Sequence, residues 1–109
     1  MSYTYKVLGQ EAPAATTNTT LYTVGSGKQT IISTIVIANR SASGATYRIA
    51  VRPGGATLAN LHYIAYDVAI AANDSTALTL GLTLGAGDVI TIYASSTNLS
   101  FGAFGTEIS

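Results

Sequence analysis

Short runs of alternating apolar and polar residues, interrupted at near-regular intervals by Gly, Asn, Asp and Ser, give this chain its main pattern. The densest β-branched run is Ile31, Ile32, Ile35, Val36 and Ile37. It is apolar on both faces, as expected of a central strand covered on both sides. Beyond the turn residues Asn39–Gly44, Tyr47, Ile49 and Val51 alternate with Arg48, Ala50 and Arg52. This second run should pack on its apolar face and turn its arginines to water or a partner. Two such runs separated by a Ser/Gly/Asn cluster read as an antiparallel strand pair.

The remaining runs extend the pattern. Tyr3–Leu8 alternates and predicts a first strand, whereas GQEAPAATTN, which contains Pro13, has no periodicity and makes residues 9–19 a surface arm or loop. Thr20–Val24 is a short strand, and Gly25-Ser26-Gly27 supplies a tight turn into the central run. Pro53-Gly54-Gly55 stops the next strand. In Leu61–Ile70 the period-two set Ile64, Tyr66, Val68 and Ile70 favours strand. Asn73-Asp74 marks a turn before Thr76–Leu84, where Leu78, Leu80, Leu82 and Leu84 occupy one face. Leucines two apart cannot share a helical face, so this too is strand. Gly85-Ala86-Gly87-Asp88 leads into Val89–Ala94, and Ser95–Asn98 into Leu99–Phe104.

Eight short strands predict an all-β fold over residues 1–109: a single two-sheet β-sandwich of antiparallel strands, of jelly-roll or Greek-key type. One internal echo agrees. Val24-Gly25-Ser26-Gly27-Lys28 before Ile31-Ile32 resembles Leu84-Gly85-Ala86-Gly87-Asp88 before Val89-Ile90, which reads as a similar hairpin in each half.

Composition sharpens the picture. Of 109 residues, 9% are charged, well below the usual quarter, and the formal charge is zero, so Thr, Ser, Asn, Gly and Ala must build the surface. Such a surface favours association. The five basic residues are scattered, which removes the drive toward nucleic acid. There is no cysteine and hence no disulfide or thiolate chemistry. MSYTYKVLGQ lacks the basic-then-apolar order of a signal peptide, and no apolar run reaches membrane-spanning length, so a soluble chain made in a cytosol is expected.

Candidate chemistry is thin. Gly25-Ser26-Gly27-Lys28 would need Gly at Tyr22 and Ser or Thr at Gln29 to be a phosphate-binding loop, and reads as a turn. His62 has no partner at metal-ligand spacing, no Gly-x-Ser-x-Gly elbow exists, and the five acids are scattered. His62 is therefore expected at a partly exposed loop edge or interface, Asp74 and Asp88 as turn formers, and no catalytic, cofactor or metal site. Four Asn-x-Ser/Thr triplets follow from an Asn- and Thr-rich composition. Among the seven tyrosines, Tyr22, Tyr47, Tyr63, Tyr66 and Tyr93 fall on predicted strands, either as core and rim residues or as a platform for sugar rings. Arg48 and Arg52 share one strand face that suits a subunit anchor or a solvated surface.

The run LGQEAPAATTNTTLYTVGSGKQTIISTIVIANRSASGATYRIAVRPGGA, with HYIAYDVAI, ALTLGLTLGAGDVITIYAS and LSFGAFGTEIS, spans nearly the whole chain. Leu8-Gly9-Gln10, Leu21-Tyr22-Thr23-Val24, Asn39-Arg40-Ser41, Asp88-Val89-Ile90 and Phe104-Gly105-x-Glu107-Ile108 are its most distinctive pieces. It resembles a family of small proteins encoded among the structural genes of tailed bacteriophages, including phages of marine and freshwater bacteria. Members often have Pro where this chain has Gly25, which preserves a turn. The resemblance implies a non-enzymatic virion component with a β-sandwich fold. The expected role is capsid decoration, a cement-type subunit, self-associating as a homotrimer and contacting the major capsid protein or tail proteins. Arg48, Arg52, Phe101, Phe104 and, on the arm, Pro13 are the candidate interface residues. The alternative is a tail, baseplate or fibre protein that attaches to host surface glycan through Tyr63 and Tyr66.

Overall fold

In the computed structural model, which describes residues 1–109, the alternating runs become eight antiparallel strands. They are β1 (Tyr3–Glu11), β2 (Thr19–Thr23), β3 (Gln29–Asn39), β4 (Ala45–Arg52), β5 (Tyr63–Ile70), β6 (Ser75–Leu84), β7 (Val89–Ala94) and β8 (Leu99–Ile108). Two four-stranded sheets form, in the orders β1-β8-β3-β6 and β2-β7-β4-β5. Only the β4–β5 connection stays within a sheet; every other passes to the opposite one. This is the eight-stranded double Greek key of a jelly roll.

The topology repeats itself. Replacing each strand of the first sheet by the strand four later gives β5-β4-β7-β2, which is the second sheet read backwards. The sequence echo belongs to this repeat. Lys28 N–H bonds to the Gly25 carbonyl and Asp88 N–H to the Gly85 carbonyl, both at 3.1 Å, with Gly27 (φ 73°) and Gly87 (φ 84°) in the third position. Positive φ there is the mark of a type II turn and requires glycine. These turns are not the expected hairpins, because each carries the chain between sheets. They lie side by side, tied by Val24 N–H to Asp88 O and Gly87 N–H to Val24 O, both 3.0 Å.

The core lies between the inner faces. Ile32, Ile35 and Ile37 of β3 and Phe101 and Ala103 of β8 join Tyr47 and Ile49 of β4 and Ile90 and Ile92 of β7 in one buried cluster. Full burial of each aliphatic side chain contributes about 1.5–3 kcal/mol. Tyr47 and Phe101 meet edge to face with ring centroids 6.3 Å apart.

Several expectations change. β3 and β4 are not paired: β3 lies between β6 and β8, and β4 between β5 and β7. Asn39, 3% exposed, turns the corner between them. Its Nδ2 donates to the Ser43 carbonyl (2.8 Å) and the Ala71 carbonyl (3.2 Å), and its Oδ1 accepts from Ser41 N–H (3.0 Å). Nor is β3 covered on both sides, since Ile31 is 38% exposed on its outer face. The register slips at Leu8 in β1, between the partners of Ala103 and Phe104 of β8, and at Ser33 in β3 and Leu80-Gly81 in β6, level with Phe104 and Gly105. This line of bulges bends the sheet. It also splits the leucine row: Leu78, Leu82 and Leu84 pack inward, while Leu80 is 38% exposed. Of the expected arm 9–19, Gly9–Glu11 belong to β1 and pair with β8, and Thr19 opens β2. Pro13 is buried, and Thr16 N–H bonds to Ala94 O at 2.8 Å, so the segment packs on its own subunit. Ser2 and Ser109 exchange two backbone hydrogen bonds, of 2.6 and 2.9 Å, which bring the chain ends together.

Candidate functional site

The outer face of the β2-β7-β4-β5 sheet carries the chain's densest group of polar and aromatic side chains. Arg48 on β4 is directly opposite Tyr93 on β7. On its other side β5 bulges, because Tyr47 pairs with Val68 but Ile49 with Ala65, leaving Tyr66 and Asp67 as the extra residues. Asp67 takes φ 51°, a left-handed conformation that Asp tolerates better than most side chains. The bulge aims its carboxylate at Arg48: Nε donates to Oδ1 at 2.7 Å and Nη2 to Oδ2 at 3.3 Å. The guanidinium carbon is 4.2 Å from the ring centroids of both Tyr66 and Tyr93. Asp67's hydrogen bonds hold Arg48 in its charged form beyond the ordinary guanidinium range.

Tyr66 also meets Tyr63 edge to face, with centroids 4.9 Å apart and an angle of 85° between the rings. Beside them opens a hollow of about 360 Å³ lined by Asn60, Tyr63 and Tyr66. Sequence reasoning flagged Arg48, Tyr63 and Tyr66 separately, and the fold brings them together. It missed Asp67, Tyr93 and Asn60 as their partners, because residues on β4, β5 and β7 become neighbours only through strand order.

Arg52 shares the face but serves the chain itself. Its Nε donates to the Ala56 carbonyl (2.7 Å), Nη2 to the Gly55 carbonyl (3.0 Å) and Nη1 to Thr91 Oγ1 (3.3 Å), fixing the turn after β4. Asp88, expected at a turn, accepts from Gly54 N–H and Gly85 N–H, both at 2.8 Å. His62 is 8% exposed rather than at an open edge, and its Nδ1 accepts from Ala59 N–H at 3.0 Å. No three His, Cys, Asp or Glu side chains converge as metal ligands.

The opposite side of the molecule is different in kind. On the outer face of the β1-β8-β3-β6 sheet, the register lines up Tyr3 with Ile108 and Gln29, then Tyr5 with Thr106, Ile31 and Thr83. The next rows are Val7, Phe104, Thr34 and Thr79, and Gln10, Gly102, Val36 and Ala77. None of these is charged. Tyr5 is 81% exposed, and Tyr3, Val7 and Ile31 also stand open. Of the expected interface residues, Phe104 is on this face, its ring close over Gly102. Phe101 is not: at 2% exposure it belongs to the core, because its position in β8 alternates with that of Phe104.

Lys6 of β1 and Glu107 of β8 meet Lys28 at one end of the sandwich, while Glu11 of β1 lies toward the other, opposite Phe101. Lys6 Nζ is 3.0 Å and Lys28 Nζ 3.7 Å from Glu107 Oε1. The Tyr22 hydroxyl, reaching across from β2, donates to Glu107 Oε2 at 2.8 Å and accepts from Thr30 Oγ1 at 2.8 Å. The bond from Tyr22, then that from Lys6, pulls the Glu107 carboxyl below its ordinary range, and burial pushes the Tyr22 phenol up.

Compared with protein-family models, with curated proteins and with solved structures, the chain finds no match.

Proposed function

We propose that this chain is a non-enzymatic structural subunit of a bacteriophage virion, of the capsid-decorating type, self-associating as a homotrimer and seated on major capsid subunits. The observation that carries the reading is the uncharged outer face of the β1-β8-β3-β6 sheet, with Tyr3, Tyr5, Val7 and Ile31 open on it. A face whose rows interleave tyrosine and aliphatic side chains with threonine and glutamine, and carry no charge, can be covered without stripping water from any ion. Tyrosine is enriched in protein contacts, where its ring packs and its hydroxyl reaches the rim. The jelly roll adds an analogy of fold, since viral capsid domains use it widely. The resemblance of the sequence to phage structural proteins points the same way. Binding to the assembled shell and not to free capsid subunits would stabilise the shell by mass action.

The test is incorporation. Particles assembled with Tyr5→Glu/Val7→Glu, which alters only exposed positions, should lack the subunit and fall apart at lower temperature than wild-type particles. The variant itself should keep its β-type circular dichroism. Incorporation of the double variant at the wild-type copy number would overturn the reading.

A further inference from the structure

We propose that the hollow between Asn60, Tyr63 and Tyr66 binds one neutral sugar ring, a hexopyranose at the end of a surface polysaccharide. Its electrostatics select for neutrality. Arg48 is the cation stacked on Tyr66, and the Asp67 carboxylate engages it at 2.7 and 3.3 Å, while Arg52 on the same face commits its donors to the Ala56 and Gly55 carbonyls and Thr91 Oγ1. A second anion finds no free partner there. A cationic ligand is disfavoured as well, because Arg48 already occupies a face of Tyr66 at 4.2 Å and repels further positive charge.

The shape and chemistry of the hollow fit a polyol ring. Tyr63 and Tyr66, at 85° to each other, form an angled wall against which the C–H face of a pyranose can stack. Asn60 at the rim offers an amide donor and an acceptor for vicinal hydroxyls. About 360 Å³, lined by three residues and open to solvent, is at the small end of ligand sites and matches a single ring. The wall is also preorganised. Although Tyr66 is 55% exposed, the guanidinium clamps it, and the left-handed Asp67 next to it fixes the bulge that presents it. A ring held in its binding orientation loses little entropy when the ligand arrives. The hollow and the uncharged face are on opposite sheets, so a subunit docked by one leaves the other open.

The test is independent of any virion. Purified wild-type chain is titrated by NMR with methyl glycosides of glucose, galactose, mannose and N-acetylglucosamine, with tetramethylammonium, and with polysaccharides ending in the same sugars. Expected are millimolar binding of at least one glycoside and of the polysaccharide that ends in it, with shifts confined to residues 60–67 and Tyr93, and none with tetramethylammonium. Tyr66→Ala should weaken binding at least about tenfold. Asn60→Ala, at an exposed position outside the sheets, should weaken it severalfold with the rest of the spectrum unchanged. Binding of the free glycoside without the polysaccharide would overturn the polysaccharide as the source. Absence of glycoside shifts, shifts elsewhere, unchanged affinity in Asn60→Ala, or preference for tetramethylammonium would overturn the site.

Discussion

Tyr22 and Glu107, 85 residues apart in the chain, join the two sheets through a 2.8 Å hydrogen bond from phenol to carboxylate. Thr30, 1% exposed, completes the bridge by donating to the same phenol oxygen at 2.8 Å. Tyr22→Phe removes both bonds and leaves the Thr30 hydroxyl without its acceptor. A loss of about 1–2 kcal/mol is expected, read as a lower urea midpoint with an unchanged slope.

The same bridge sets an acid limit. Glu107 titrates below its ordinary value of 4.5 in the folded chain because Tyr22 and Lys6 favour its ionised form. A depressed carboxyl pKa contributes stability that is full above the unfolded value and is lost as pH falls through the folded one. Wild-type chain should therefore lose melting temperature steeply below about pH 4.5. Glu107→Gln should start lower at neutral pH and fall less on acidification, as thermal melts at about pH 7 and pH 3 would show.

Two kinds of glycine should respond differently to alanine. At Gly105 a Cβ would land on the Ile31 carbonyl, where β8 comes close to β3, so Gly105→Ala should cost roughly 3 kcal/mol or abolish folding. At Gly27 nothing is near, and the obstacle is only φ 73°, so Gly27→Ala should cost about 1 kcal/mol. Chemical denaturation of the two variants separates crowding from backbone strain.

Most strand positions were legible because alternation reports which side chains can share a face. It does not report which strand lies alongside. Proximity in sequence suggested that the runs flanking Asn39–Gly44 pair, but Asn39 turns the corner between sheets. The bulges at Ser33 and Leu80-Gly81 were equally silent, since one extra residue shifts alternation without changing composition. Phe101 and Phe104 illustrate the limit for the surface. Both are apolar, both are on the last strand, and only the packing of the second sheet decides that Phe101 is inside. Arg48, Tyr63 and Tyr66 stood out by residue type, yet their joint geometry depends on Asp67 and Tyr93 arriving from separate strands.

The Arg48 clamp is a matter of shape as well as charge. A planar guanidinium fits between two rings and grips a carboxylate with two nitrogens, whereas an ammonium does neither. Arg48→Lys should therefore keep the fold and net charge but release Tyr66. Faster averaging of the Tyr63 and Tyr66 ring resonances in NMR would register it, while Arg40→Lys, at an exposed position, should leave those rings unchanged.

The internal repeat makes the gap between the chain ends equivalent to the β4–β5 connection. A circular permutant that joins Ser109 to Ser2 through a short glycine linker and opens between Thr57 and Leu58 should fold to the same sandwich. Its melting temperature is expected within roughly 5 °C of wild type, measured by circular dichroism.

An attachment made through the middle rows of the β1-β8-β3-β6 face, from Tyr3 to Val36, offers no charged side chain for dissolved electrolyte to shield; Arg40, bonded to Ser100, and Glu11 stand only at its far end. Its grip should be nearly the same in dilute buffer and in brine, and should tighten in sulfate, which strengthens the burial of apolar surface.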